Sequence, residues 1–248
     1  IGTEEGLNRY DGIMIKSYSI CPQAAGKYIS SLYGTKKNIW IGTDEGIYIY
    51  AYATETFTYF DLTTPNNVRI TSIVNHILQD KDGNLWFSTN GQGLFRYNLS
   101  KNYLEQYEFT SAFGIVASTM ADSDNQIWAL TNQGESGVYK LNKAENKFEP
   151  FGLLYNAGNH HSQALAMLED SEQTLWLGTW ECGLQKIDKY TRQTTTYLHP
   201  TDGKGVTHIH SLMEYAPHQL LIGSDDGLLL FNTLTEEYKL FTENETVP

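Results

Sequence analysis

The chain has 248 residues and a formal net charge of −12, from 17 Lys and Arg against 29 Asp and Glu. Its basic residues are scattered, so neither a nucleic-acid-binding surface nor attraction to an anionic membrane is expected. Aromatic residues make up 13% of the chain, and its 17 Tyr and 21 Gly are typical of short strands joined by tight turns.

The start of the sequence and its cysteines indicate little about the compartment. The chain begins with Ile1 rather than Met and shows no signal peptide, so we expect it to be a piece of a longer protein. No run reaches the roughly 18 apolar residues that a membrane span requires. Cys21 and Cys182 lie far apart and outside any metal-binding spacing, so neither a disulfide framework nor a metal site is indicated.

A five-residue motif recurs along the chain and is the main signal in the sequence. It consists of a hydrophobic residue, Trp or Leu, a hydrophobic residue, usually a small residue, and Thr or Ser. Its tail stands at Ile1–Thr3, and it recurs at Ile39–Thr43, Leu85–Thr89, Ile127–Thr131, Leu175–Thr179 and Leu220–Ser224. A Gly follows each copy at a spacing of 40 to 47 residues, at Gly6, Gly46, Gly93, Gly137, Gly183 and Gly227.

Three further runs complete each copy. A hydrophobic run opens at the Gly, and an aromatic run follows it with Phe57, Tyr103, Phe148, Tyr197 and Tyr238. Another hydrophobic run precedes the Trp motif, at 28–33, 73–78, 115–120, 165–168 and 209–213. We name the runs a to d in chain order, so that b holds the Trp. Each is too short for most helices and is bounded by turn residues, which predicts a strand.

Four short antiparallel strands in each copy of about 44 residues are typical of a β-propeller blade. The sequence therefore predicts an all-β fold, with one partial propeller over residues 1–248. It would contain five complete blades and strands b, c and d of another. The blade cores are predicted near 1–20, 27–61, 70–110, 114–152, 163–199 and 206–243.

The Trp residues of strand b are predicted to pack between neighbouring blades. A single blade cannot bury both of its faces, whereas stacked blades give each sheet two packing neighbours. An aromatic side chain of this size supplies much of the buried apolar area at such an interface. We expect this role for Trp40, Trp86, Trp128 and Trp176, and Leu221 replaces the Trp in the last copy.

Strands b and c resemble a known family. Leu175–Thr179 reads Leu-Trp-Leu-Gly-Thr, and Ile39–Tyr50 continues from the same motif into Gly-Ile-Tyr-Ile-Tyr. These segments resemble the two-component regulator propeller repeat, whose pattern is Leu-Trp-Ile-Gly-Thr, then Gly-Leu-x-x-Tyr-Asp, then an aromatic pair. The resemblance extends over essentially the whole chain.

The resemblance implies a seven-bladed parent ring in the periplasmic sensor half of a hybrid two-component receptor of Bacteroidetes such as Bacteroides. Such receptors respond to polysaccharide fragments. The implied partners are an oligosaccharide, a neighbouring propeller or other domains of the same receptor, and a second copy in a homodimer. A membrane span and a histidine kinase would lie outside this sequence, and no cofactor is expected.

The sequence lacks the motifs of propeller enzymes, which predicts that this segment is not an enzyme. A sialidase-type Asp box requires Asp five residues before the Trp, where Lys81, Ser123 and Ser171 stand instead. Neither a nucleophile elbow nor a phosphate-binding Gly-rich loop is found. His208 and His210 would face the same side of a strand, but no third ligand follows at a suitable spacing, so no metal site is predicted.

Candidate ligand-binding residues lie in the b–c and d–a connections. Antiparallel strands alternate in direction, so both kinds of connection meet at one end of the blades, where a rigid scaffold presents its loops. The candidates are Trp180, Glu181, His160, His161, Arg69, Asn90 and His208. Trp180 stands in a turn where other copies have a small polar residue. It is either a stacking platform for a sugar ring or a local clamp.

Two other functions fit the sequence. The chain could be a structural spacer, with the ligand bound elsewhere in the receptor. It could also be a polysaccharide-degrading propeller enzyme. Glycan binding would exclude the first alternative, and release of sugar products would favour the second.

Overall fold

The computed structural model describes residues 1–20, 28–109, 114–131, 137–153, 163–198, 206 and 208–241. Cys21 therefore lies outside the described residues. All regular elements in the described ranges are β-strands. These ranges contain no helix with the length and hydrophobicity of a membrane-spanning segment. The chain divides into two compact units, 1–119 and 120–248, which are described separately.

The first unit contains a three-stranded sheet and two four-stranded sheets, each antiparallel and connected in chain order. The three-stranded sheet consists of β1 (Gly2–Thr3), β2 (Gly6–Tyr10) and β3 (Ile15–Tyr18). The second sheet consists of β4 (Ile29–Gly34), β5 (Asn38–Thr43), β6 (Gly46–Ala51) and β7 (Thr56–Tyr59). The third sheet consists of β8 (Val74–Gln79), β9 (Leu85–Thr89), β10 (Leu94–Asn98) and β11 (Tyr103–Tyr107).

The remaining three sheets are also four-stranded and antiparallel. The fourth consists of β12 (Val116–Ala121), β13 (Ile127–Thr131), β14 (Gly137–Asn142) and β15 (Lys147–Leu153), and the boundary between the units falls within β12. The fifth consists of β16 (Ala164–Glu169), β17 (Leu175–Thr179), β18 (Leu184–Ile187) and β19 (Thr194–Tyr197). The sixth consists of β20 (Ile209–Ala216), β21 (Gln219–Ser224), β22 (Gly227–Asn232) and β23 (Tyr238–Phe241). The four predicted runs of each copy are therefore strands, and the first sheet holds the predicted b, c and d.

A hydrogen bond between the Thr or Ser and the Gly explains why both recur. The Thr43 hydroxyl donates to the Gly46 carbonyl at 3.0 Å and closes the turn between strands b and c. Gly46 has φ +108°, and a Cβ there would lie 2.5 Å from the Ile70 carbonyl oxygen, so a side chain is excluded on both counts. Equivalent bonds form at Thr3, Thr89, Thr131, Thr179 and Ser224.

The Trp residues of strand b are buried, and two of them directly contact the next sheet. The Trp40 ring centroid lies 5.7 Å from that of Phe87 in the third sheet. The Trp176 ring lies 6.0 Å from Phe231 in the sixth sheet. Trp128 shares its hydrophobic core with Leu175 of the fifth sheet. The predicted packing between sheets is confirmed for these three residues.

An Asp six residues before the Trp fixes the a–b turn in three copies. Asp170 Oδ2 accepts a hydrogen bond from Trp176 Nε1 at 2.6 Å. Its Oδ1 accepts from the backbone nitrogens of Glu172 at 3.0 Å and Thr174 at 2.8 Å. The same arrangement occurs with Asp80 and Trp86 and with Asp122 and Trp128. The aspartate thereby satisfies the only polar atom of the buried indole.

The fourth position of strand b is matched in size to the next sheet. A Cβ on Gly178 would lie 2.5 Å from Cγ2 of Ile209 and 2.8 Å from its carbonyl oxygen. A Cβ on Gly42 would lie 2.9 Å from Cβ of Val74. In the fourth sheet this position is Leu130, and the corresponding residue of the next sheet in its core is Ala164. Large and small residues therefore alternate across these interfaces.

Candidate functional site

Three connections meet beside the fifth and sixth sheets. Trp180 follows β17, His208 precedes β20, and Asp225 lies between β21 and β22. The Trp180 backbone nitrogen donates to the Gln163 carbonyl at 2.9 Å, and the His208 nitrogen donates to the Trp180 carbonyl at 3.2 Å. The b–c and d–a connections therefore meet at one end in this unit, as their strand directions predict.

Trp180 stacks on His208. The two ring centroids are 3.7 Å apart, and the ring planes are inclined by 22°. Trp180 nevertheless remains 39% exposed, in contrast to the four buried Trp residues of strand b. One face of the indole is therefore held by a protein side chain, and part of the ring remains accessible to solvent.

Asp225 holds two histidines. Its carboxylate oxygens lie 2.5 Å from His208 Nδ1 and 2.7 Å from His210 Nε2. His210 is the second residue of β20, and its ring centroid lies 6.4 Å from that of His208, which precedes the strand. The His210 ring lies edge-on to Trp180, with ring centroids 6.3 Å apart. We call Trp180, His208, His210 and Asp225 the loop-end cluster.

The histidines keep Asp225 ionised. Hydrogen bonds from His208 and then His210 lower the pKa of Asp225 below its usual value of 3.8. The Asp225 side chain is 52% exposed. A carboxylate has about four lone-pair positions, so two remain for a ligand after both imidazoles are bound.

The backbone of the loop that carries Trp180 is held by hydrogen bonds to the Thr179 side chain. The Thr179 hydroxyl donates to the Gly183 carbonyl at 2.8 Å and accepts from the Cys182 backbone nitrogen at 2.9 Å. Cys182 is buried, whereas Glu181 between these anchors is exposed. The loop therefore presents Trp180 and Glu181 outward on a constrained backbone.

The candidates in the first unit form a separate pair of linked loops. Asn90 follows Thr89 as Trp180 follows Thr179, and its backbone nitrogen donates to the Ile73 carbonyl at 2.9 Å. The Gln92 side chain donates to the Arg69 carbonyl at 2.9 Å and accepts from the Thr71 nitrogen at 2.8 Å. Arg69 and Asn90 are both exposed on loops that Gln92 ties together.

His160 and His161 lie outside the described residues. Within the part of the chain that the structure describes, no group of three His, Cys, Asp or Glu side chains is arranged to hold a metal ion.

A groove of about 560 Å³ in the first unit is a packing slot of the repeat. Its lining includes Leu32, Ile39 and Tyr50 of the second sheet. The corresponding residues of the third sheet are Ile77, Leu85 and Tyr97, which pack around Trp40. The groove therefore differs in kind from the loop-end cluster.

Residues 67–91, which include β8, β9 and the Asp80 turn, match the family model described as two-component regulator propeller. The chain carries a two-component regulator propeller repeat. The resemblance predicted from the sequence is thereby confirmed. Trp86, its bond to Asp80 and the donor Thr89 of the Thr–Gly bond all lie within the matched residues.

Solved structures with similar folds support the β-propeller class. The extracellular domain of a protein described as a hybrid two-component system, BT4673 from B. thetaiotaomicron, is 22% identical with a TM-score of 0.79. The match covers 98% of this chain and 32% of that one. A virginiamycin B lyase from Staphylococcus aureus is 16% identical over 88% of this chain and 70% of its own, with a TM-score of 0.66. The predicted β-propeller class is therefore confirmed, and the fold is shared by an extracellular two-component domain and a lyase.

Histidine kinase P4 of Formosa agariphila is similar in sequence. It is 26% identical over 229 residues, which cover 88% of this chain and 16% of the kinase. The chain therefore spans about a third of the BT4673 domain and a smaller part of the kinase.

Sequence reasoning selected Trp180 and His208 but missed Asp225 and His210 as site residues. A signal was present, because Asp225 follows Ser224 in the last copy as Trp180 follows Thr179 in the copy before. The position after the Thr or Ser of strand b thus supplies two of the four residues in the loop-end cluster.

Proposed function

We propose that this chain is a non-catalytic part of the extracytoplasmic sensor region of a two-component receptor, and that it recognises an oligosaccharide. The observation that carries the proposal is the regulator propeller repeat within a fold that matches an extracellular two-component domain over 98% of the chain. In this proposal the periplasm supplies the ligand, and the kinase lies elsewhere in the parent receptor.

The chemistry of the loop ends supports a sugar ligand. Sugars present hydroxyl groups around a ring whose faces are partly apolar, so they suit an exposed aromatic ring bordered by hydrogen-bonding side chains. Trp180 provides the ring, and Asp225, His210 and Glu181 are exposed beside it or next to it in the chain. Arg69, Asn90 and the two histidines at 160 and 161 remain candidate contributors.

Signalling in this proposal requires no chemical step on the ligand. A ligand that binds one arrangement of the receptor more tightly than another shifts the population toward it by that difference in affinity. The partners that would transmit the shift are a neighbouring propeller, other domains of the same receptor or a second copy in a homodimer.

Calorimetry with a glycan panel tests the proposal. The chain and its intact parent ectodomain are titrated with neutral and charged oligosaccharides, and at least one is expected to bind. Trp180→Ala should weaken that binding about fivefold or more if the ring stacks on the ligand. Tyr190→Ala is the matched control, because Tyr190 is a surface aromatic, 84% exposed, in the β18–β19 turn.

Two results would overturn the proposal. If no glycan binds to the ectodomain, the chain is a spacer or binds another class of ligand. If sugar products are released during incubation, the chain belongs with the propeller enzymes, as the lyase similarity would then suggest.

A further inference from the structure

The Asp225 carboxylate gives the loop-end cluster exposed hydrogen-bond acceptors. An ionised carboxylate only accepts hydrogen bonds, so the imidazole nitrogens that face Asp225 are the donors. When an imidazole is neutral, its opposite nitrogen, His208 Nε2 or His210 Nδ1, is an acceptor. Within the described residues, the ion pairs of Asp225 are with His208 and His210 alone, so no Lys or Arg offsets its charge.

The neighbouring charges have the same sign. Glu181 adjoins Trp180 and Asp226 adjoins Asp225, and both lie in exposed loop positions. The net charge of the whole chain is −12. The ionised and half-exposed carboxylate of Asp225 would repel a carboxylate or sulfate on a ligand.

The stacking geometry leaves one face of the indole for a ligand. His208 occupies the other face at 3.7 Å, and the backbone bond from His208 to Trp180 holds the pair together. Asp225 in turn fixes His208 through Nδ1. The indole is therefore oriented before any ligand arrives, which lowers the entropy lost on binding.

We propose that the loop-end cluster is a subsite for an uncharged sugar ring, which stacks on Trp180 and donates its hydroxyls to Asp225 and His210. His208 acts as a positioning residue behind the indole. This inference rests on the proposed oligosaccharide recognition, and it adds Asp225 and His210 as ligand contacts and selectivity against acidic sugars at this position.

Pairs of oligosaccharides that differ only in charge test the subsite. The chain is titrated with a neutral hexose oligomer and its C6-oxidised counterpart, and the same pair is offered to Asp225→Asn. The neutral sugar is expected to bind at least about tenfold more tightly to the unaltered chain. Asp225→Asn should weaken neutral binding about tenfold and reduce the discrimination, because the amide can donate a hydrogen bond and carries no charge.

Asp188→Asn is the matched control. Asp188 is also an exposed aspartate that accepts backbone hydrogen bonds, from Tyr190 and Thr191, but it lies in the β18–β19 turn. Its substitution should leave both affinities and the discrimination unchanged. His208→Gln provides a readout of positioning, because it should weaken the neutral sugar while the preference for it over the acidic sugar persists.

The outcomes separate this subsite from the broader function. Glycan binding that Asp225→Asn and Trp180→Ala leave unchanged, or that favours the acidic sugar, overturns the subsite and leaves the sensor proposal standing. Binding that a chelator abolishes also overturns it, because the histidines would then be metal ligands. If no sugar binds to either the chain or the ectodomain, the sensor proposal fails as well.

Discussion

Two tryptophans four residues apart show how one strand serves two purposes. Trp176, within β17, is 1% exposed, and its indole nitrogen donates to Asp170. Trp180, just after the same strand, is 39% exposed and stacks on His208 without a bond from its indole nitrogen among those described. Trp176 is satisfied inside the sheet interface, whereas Trp180 retains an open face. Both residues are tryptophans, so the residue type does not distinguish them. Burial does distinguish the packing residue from the candidate site residue.

The end of the fifth sheet opposite to Trp180 is closed by buried charges. Lys189 forms ion pairs with Glu169 and, at 3.7 Å, with Asp122, and its side chain is 7% exposed. Glu169 also accepts from the Ser123 hydroxyl at 3.0 Å. We call Asp122, Ser123, Glu169 and Lys189 the turn-end cluster. Two carboxylates share one buried cation there, whereas the carboxylate of the loop-end cluster is half exposed.

The largest expected effect is the difference between Trp176 and Trp180 in their contribution to the free energy of unfolding. Trp176→Ala leaves a cavity between two sheets and should lower the free energy of unfolding by about 3–5 kcal/mol. Trp180→Ala should lower it by about 1 kcal/mol or less, because the residue is at the surface. Urea unfolding of both variants measures the difference. Equal losses would show that Trp180 is a packing residue, and the contrast would disappear.

Breaking the turn-end cluster should have the next largest effect. Lys189→Met leaves Glu169 and Asp122 buried without their cation and should lower the free energy of unfolding by about 3 kcal/mol. Lys147→Met is the control, since Lys147 is 58% exposed in its pair with Glu145 and should change stability by about 0.5 kcal/mol or less. Thermal unfolding measures both variants, and similar losses would contradict a special role for the buried cluster.

The same lysine predicts a change at alkaline pH. Burial alone would lower the pKa of Lys189, but hydrogen bonding and charge interaction with Glu169, together with the charge of Asp122, raise it above 10.5. The folded state therefore holds this proton more tightly than the unfolded state. The resulting contribution to folding stability is fully present at pH values below the ordinary lysine pKa. It should be lost as the pH rises above about 10.5, and the stability gap to Lys189→Met should narrow there. A constant gap across that range would contradict the ion-pair account.

A smaller loss is expected from the Asp–Trp bond. Asp170→Ala leaves the Trp176 indole nitrogen and two turn nitrogens without their acceptor, which should cost about 1–3 kcal/mol. Asp225→Ala at the loop end should leave the urea midpoint nearly unchanged, because its partners are exposed to water. A larger loss from Asp225→Ala would mean that the loop-end cluster is structural.

The smallest expected effect is a difference in fluorescence quenching, and it involves no change in stability. All five Trp residues of the chain lie in the described ranges, and the other four are at most 4% exposed. Acrylamide should therefore quench chiefly the fluorescence of Trp180, and Trp180→Phe should remove that accessible component. Strong quenching that survives the substitution would place a second Trp at the surface.

The sequence predicted the strands well because their signals are local. The Trp, the Thr or Ser and the Gly of each copy lie within a few residues of one another, and the Thr43–Gly46 bond shows why their spacing is kept. Strand ends were less predictable. β20 extends to Ala216, beyond the predicted end at 213, because its pairing with β21 continues through Glu214 opposite Leu220.

The site was only partly predictable because it depends on residues from separate copies. Asp225 lies 17 residues from His208 and 45 residues from Trp180, and no local pattern links them. The Asp–Trp bond escaped prediction for another reason. The enzyme motif considered places its Asp five residues before the Trp, whereas the bond is made from six.

The residue at the fourth position of strand b is matched in size to its neighbour in the next sheet, so it restricts which sheet can follow. The bare backbone at Gly178 admits the branched side chain of Ile209, and the bulk of Leu130 is balanced by Ala164. Exchanging whole copies along the chain would bring Leu130 against Ile209 or leave a void beside Ala164. The contact surface of the fourth sheet is thus matched to that of the fifth, and exchanging this copy for another in a rearranged gene would create a clash or a void.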